Sequence, residues 1–170
     1  MLPDIINLST LQTRAQQRFD EQGWPAAKSE AWKYTSLDAL ASDAPIPAND
    51  ISGSADVPVN ISWPHCRLVL QGGIFRQDLC DELPSGVKLL ALGDDAKALT
   101  ALDRLGATDT LVSSLSVAQM TAGISLSVEP GVVIDKPLIF HFVGGVAGAA
   151  SYPVIYVEIG DEAGLSLIHI

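Results

Sequence analysis

Two hydrophobic periods divide this chain. Near the N-terminus Leu11, Ala15 and Phe19 recur every four residues, with Arg14, Gln17 and Glu21 on other faces, the spacing of an amphipathic helix. Ser9 followed by Gln12 has capping-box spacing and is expected to open that helix. Gly23 is expected to close it, with Trp24–Pro25 forcing an extended turn. After Thr121 the period becomes two. In "GISLSVEPG", Leu126 and Val128 alternate with Ser125 and Ser127, which predicts a half-buried strand stopped by Pro130–Gly131. "KPLIFHFV", "PVIYVEIG" and "LSLIHI" follow as further strands, separated by Gly-containing breaks.

The middle of the chain is mixed. A short helical piece is expected over Lys28 to Lys33, and a further helix from Thr35 as N-cap to about Ala41. Ser42 to Asn60, with Pro45, Pro47 and Pro58 among Ser, Asp, Asn and Gly, reads as a linker. "RLVLQGGIFRQDL" predicts a hairpin about Gly72–Gly73, whose adjacent glycines tolerate the positive φ of a tight turn. "GVKLLAL" is another strand. Asp94–Asp95 precede a helix over about Ala96 to Leu105, and Asp109 is expected to cap one more, to about Met120. The fold class is mixed α/β of the α+β kind. Its parts are a helical region over residues 1–45, a linker at 46–60, hairpin, strand and helices over 61–122, and a strand region over 123–170.

Charge narrows the function. The chain has 170 residues, 48% of them apolar, and a formal net charge of −10. Phosphate-backbone binding is driven by Lys and Arg, so a nucleic-acid partner is not expected. From Leu111 to Ile170 Lys136 is the single basic residue against five acidic ones, so this region is expected to pack on more than one face. "MLPDIINLST" lacks a basic start and an apolar core, so no secretory signal is read there and a cytoplasmic location is expected. Pro137 to Val157 is 21 residues without a charge, long enough to span a bilayer. Its Gly/Ala/Ser centre and Tyr152–Pro153 instead read as strand, loop, strand, and no Lys/Arg cluster flanks it, so no membrane partner is expected.

Candidate chemistry is sparse. His141 and His169 lie in predicted strands and could meet in stacked layers, but neither they nor His65 form a ligand set with metal-site spacing. Cys66 and Cys80 flank the hairpin. A two-residue loop sets Cys66 opposite Leu79, whereas a three-residue loop would set it opposite Cys80 and make a disulfide sterically conceivable. Ordinary thiols are the expectation. Neither Gly72–Gly73 nor "GGVAGAAS" has the ending of a P-loop, and no Gly-x-Ser-x-Gly elbow occurs. Acid pairs such as Asp94–Asp95 and Asp81–Glu82 read as solvated acids. In "SEAWKYTSL", Trp32 and Tyr34 could stack on a ligand. Together with Leu37 and Leu40 they are also what a short helical hook needs to dock on a sheet, and that anchor role is the expectation.

The segment "EAWKYTSLDAL" resembles the Glu-x-Trp-(Lys/Arg)-Tyr-Thr-x-Leu stretch of the SufB/SufD family, scaffold components of a bacterial iron–sulfur cluster assembly system. "GWPAAKSE" before it, then "RLVLQGGIF", "VEPGVVIDKPLIFHFV" and "VIYVEIGDEAGLSLIHI", continue the resemblance in order, closer to the SufD branch. The resemblance implies a small helical N-terminal region followed by the beginning of a right-handed β-helix. It implies a non-enzymatic scaffold with SufB and the ATPase SufC as partners. The iron–sulfur cluster and ATP on SufC belong to the assembled complex, and no cofactor is expected in this segment. Glu30, Trp32, Lys33, Tyr34, Thr35 and Leu37 carry the motif and take a structural role; no catalytic, cofactor-binding or metal residue carries over. Family members run well past the position matching Ile170, so the expectation is an N-terminal fragment lacking the cluster-building and ATPase-contacting regions.

Two rivals remain. One is a carbohydrate-active enzyme on a β-helix, for which Glu129, Asp135, Glu158, Asp161 and Glu162 supply few candidate acids. The other is a structural module that seals its own open strand edge by self-association.

Overall fold

The computed structural model describes residues 6–25, 29–43, 46–47, 61–104, 110–144 and 146–169. The N-terminal part holds α1 (Leu8–Gln22), a 3-10 turn (Glu30–Trp32), α2 (Asp38–Asp43) and β1 (Ile46–Pro47). The hairpin strands β2 (Cys66–Gln71) and β3 (Ile74–Phe75) precede β4 (Val87–Ala91), α3 (Ala96–Arg104) and α4 (Leu111–Ala118). The strands β5 (Gly123–Val128), β6 (Leu138–Val143), β7 (Ala149–Ala150), β8 (Val154–Ile159) and β9 (Leu167–His169) follow. The fold is α+β, with its two larger sheets mixed in strand direction.

Local capping moved several boundaries. α1 is opened by Asn7, whose side-chain oxygen accepts the Thr10 N–H at 2.8 Å, and not by Ser9. Gly23 ends it as expected, with φ 64° and its N–H donated to the Phe19 carbonyl. α2 starts at Asp38 because the Thr35 N–H closes a turn on the Trp32 carbonyl, while the Ser36 hydroxyl accepts the Asp38 N–H. α4 is capped by Thr110, whose side chain and that of Ser113 satisfy each other's backbone N–H groups. Asp109, Lys28 and most of the 46–60 linker lie outside the described residues.

One sheet has the order β3-β2-β6-β9 and the other β4-β5-β8. The hairpin closes on two residues, with Gln71 paired to Ile74 and Gly72 and Gly73 at φ 57° and 84°. Parallel pairing joins β2 to β6, β6 to β9 and β5 to β8, while β4 runs antiparallel to β5. Alternate residues of the two sheets meet in one core: Cys66, Leu68 and Leu70 from β2, Ile124, Leu126 and Val128 from β5, and Leu138 and Phe140 from β6. Each such apolar side chain, fully withdrawn from water, contributes about 1.5–3 kcal/mol before chain entropy is counted.

A second core lies on the other side of β5 and β8. There Leu11 and Ala15 of α1, Leu99 and Leu102 of α3, and Val117 of α4 close over Val154 and Tyr156. This layer changes the reading of β5: Ser125 is 3% exposed, so the serine face expected in water is covered by helices. β2 is likewise buried on both faces, as its run of Leu68, Val69 and Leu70 suits. The uncharged Pro137–Val157 stretch forms β6, an irregular loop with β7, and the start of β8. Among the described residues no helix is long and apolar enough to cross a membrane.

Candidate functional site

The aromatic motif is a tight local turn. The Trp32 N–H donates to the Ser29 carbonyl at 3.0 Å and the Thr35 N–H to the Trp32 carbonyl at 2.9 Å. Lys33 Nζ lies 2.5 Å from Glu30 Oε1 and 5.0 Å from the centre of the Tyr34 ring, so three motif residues hold one another. Trp32 and Leu37 are half-buried, but Tyr34 is 90% exposed and Leu40 49%. The expected four-residue hook is therefore not formed. Tyr34 and Leu40 are exposed, and the Tyr34 ring meets its neighbour Lys33, itself paired with Glu30.

The histidines do not converge. β6 pairs with β9 so that Phe140 faces His169, one position out of step with His141, whose partner on β2 is Val69. The His141 ring is 6% exposed, and its Nδ1 has no hydrogen-bond partner among the described residues. Burial, and then the nearby Arg67 guanidinium, push its pKa below the ordinary histidine value. Both effects disfavour the charged ring. His65 donates Nδ1–H to the Trp63 carbonyl at 2.9 Å and meets the Trp63 ring edge-on. Among the described residues no three His, Cys, Asp or Glu side chains form a group able to hold a metal ion.

Both cysteines are free thiols, and the two-residue turn decides between the two hairpin registers. Cys80 Sγ accepts the Val69 N–H at 3.2 Å and donates to the Arg76 carbonyl at 3.1 Å, while Cys66 donates to the Glu82 carbonyl at 3.5 Å. Burial pushes the Cys66 thiol up to about 11, far from a thiolate at neutral pH. These are packing residues.

Two polar assemblies escaped the reading of the sequence. Asp95 is not a simple solvated acid. Its Oδ1 accepts the Ala98 N–H at 3.0 Å, capping α3, and its Oδ2 accepts the buried Ser125 hydroxyl at 2.6 Å, tying that helix to β5. The Ser125 hydroxyl, followed by the Ala98 N–H, holds the Asp95 carboxyl below the usual range. Arg76 makes a two-pronged pair with Asp78, at 2.8 and 2.7 Å, and also donates to Gln71, a glutamine with no exposed surface. No sequence period signals either, because one ties α3 to β5 and the other turns back onto a buried glutamine of β2.

The remaining candidate is the sheet end made by β8 and β9. Ile124 is 1% exposed and Leu126 is wholly buried, while their register partners Ile155 and Val157 are only partly buried. Val128 is 3% exposed against 49% for its partner Ile159. β8 thus closes its sheet with an apolar edge. At the opposite end, β3 is two residues long and β4 carries Lys88, paired with Glu129 at 2.6 Å, the short and charged form of a guarded edge. Compared with known proteins, the chain matches no family model and no curated protein.

Proposed function

We propose that this chain is a non-enzymatic assembly scaffold of the SufB/SufD type, working with SufB and the ATPase SufC in building iron–sulfur clusters, and that its strand region begins a right-handed β-helix. The observation that carries the reading is a stacking offset that nearly repeats along the last two strand levels. Ile124 and Ile155, Val128 and Ile159, and Val133 and Gly164 are parallel partners 31 residues apart, and Leu138 and Leu167 follow at 29. Strand, Pro-Gly or Asp-Glu turn, single bridge and strand recur in that order on both levels, as successive rungs of a coil would. The motif residues Glu30, Trp32, Lys33, Tyr34, Thr35 and Leu37 keep a structural role as a self-contained turn. The cluster and ATP belong to the assembled complex.

The test is genetic. In a bacterium that depends on its Suf system and lacks SufD, the complete open reading frame containing this sequence restores growth. Failure to do so while the protein accumulates refutes the scaffold reading. Anaerobic mixing of the purified chain with iron and sulfide yields no stoichiometric visible chromophore; its appearance would refute the absence of a cluster site. The exposed Ile159 edge favours a second reading, a module that self-associates through β8 and β9. A clean monomer by static light scattering across a hundredfold range of concentration removes it.

A further inference from the structure

The guarded end of the two sheets carries a feature that the scaffold reading does not use. β3 is only two residues long and the first strand of the other sheet is the antiparallel β4, so this level of the core is not closed by a full strand pair. The segment from Gln77 to Leu83 crosses the gap. Beneath it lies a cavity of about 540 Å³, within the usual range for a small-molecule site. Leu68, itself 1% exposed, lines it with Phe75, Leu83 and Leu89, all three packed against the main core and only partly buried.

The rim of this cavity is acidic. Asp81 and Glu82 line it, and no lysine or arginine does. The segment that carries them is pinned: the Asp81 N–H donates to the Arg67 carbonyl at 2.9 Å, Asp81 Oδ2 accepts the Arg67 N–H at 2.7 Å, and the Glu82 carbonyl accepts a hydrogen bond from the Cys66 thiol at 3.5 Å. The Glu82 carboxylate has no ion-pair partner among the described residues. Asp81 and Glu82 also border a second cavity of about 580 Å³, where Asp135 adds another carboxylate against Lys136. The whole chain carries −10, and a cleft with low-dielectric walls focuses such a field.

We propose that this mouth of the core binds a small amphiphilic cation, a primary ammonium bearing a short hydrocarbon chain. The hydrocarbon enters between Phe75 and Leu89 to reach Leu68, and the ammonium stays at the rim against Glu82 and Asp81.

The test is a titration of the isotopically labelled chain with hexylammonium, hexan-1-ol and hexanoate, followed by amide chemical shifts. The expected result is saturable shifts centred on Phe75, Leu83 and Leu89, with hexylammonium bound about tenfold more tightly than hexanoate. Glu82→Gln, at an exposed position, narrows that preference to about threefold, as does about 0.5 M salt. Leu89→Trp fills the cavity and abolishes the shifts while circular dichroism confirms the fold. Hexanoate binding as tightly as hexylammonium, shifts centred elsewhere, or no saturation by about 20 mM, too weak for a specific site, would each overturn the proposal.

Discussion

Replacing Asp95 with alanine breaks two connections at once, and their separation tests how the helical layer is fixed to the sheet. The lost cap on the Ala98 N–H is worth about 0.5–2 kcal/mol. The lost acceptor leaves the Ser125 hydroxyl unsatisfied at 3% exposure, which costs about 1–3 kcal/mol more. Asp95→Ala is therefore expected to destabilise by about 1.5–5 kcal/mol, and Ser125→Ala, which leaves the cap intact, by about 1–2 kcal/mol. In the double variant the losses overlap, giving a coupling of about 1–2 kcal/mol. Urea unfolding followed by circular dichroism at pH 7 measures each corner of the cycle. The pH dependence follows from the lowered folded-state pKa of Asp95. Its stabilisation is fully present above the ordinary carboxyl value and is lost as pH falls through the lower, folded value. The coupling should fade on acidification. Additivity within about 0.3 kcal/mol at pH 7 would refute the connection between α3 and β5.

Three further outcomes follow from the same structure. His141 has a folded-state pKa below its unfolded value, so its unfolded form takes up a proton first and stability falls as pH drops below about 6.5; His141→Leu flattens that slope, and equal slopes in urea midpoints from pH 5 to 8 would contradict this. Gly160→Ala sets a methyl 2.6 Å from the Pro130 nitrogen and 2.8 Å from its Cα. Both are backbone of the neighbouring level, so the change costs about 1–3 kcal/mol in unfolding measurements, whereas Gly144→Ala, with open space around it, stays within about 0.5 kcal/mol. Cys66, with its thiol near 11, should react with iodoacetamide at pH 8 roughly a hundredfold more slowly than a free cysteine. Complete alkylation within minutes of a chain still folded by circular dichroism is the contrary result.

Much of the architecture was legible in the residues themselves. Leu11, Ala15 and Phe19 determined that a helix forms there, and the paired glycines 72 and 73 that the chain reverses between β2 and β3. The alternation from Ile124 to Val128 determined a strand, and Pro130–Gly131 its end. These are local effects, fixed by side-chain period and by which residues tolerate a left-handed backbone. The caps were nearly legible: Asn7 and Thr110 stand within two positions of the residues expected, Ser9 and Asp109, because several polar side chains near a helix start compete for the same orphan N–H groups.

Tertiary structure alone decided what each pattern faces. The same alternation that signals one buried face cannot say whether the other meets water or a helix; the helical core of α1, α3 and α4 and the Asp95 carboxylate at the start of α3 made Ser125 a buried partner. The register of β6 with β9 separated two histidines that the chain order left free to meet. The Trp32 to Leu40 segment has the composition of an anchor, yet its contacts closed on themselves and left Tyr34 in solvent. The sequence determines the period along each element. Which surface that period is set against is a property of the neighbours, and they are assembled from residues dozens of positions away.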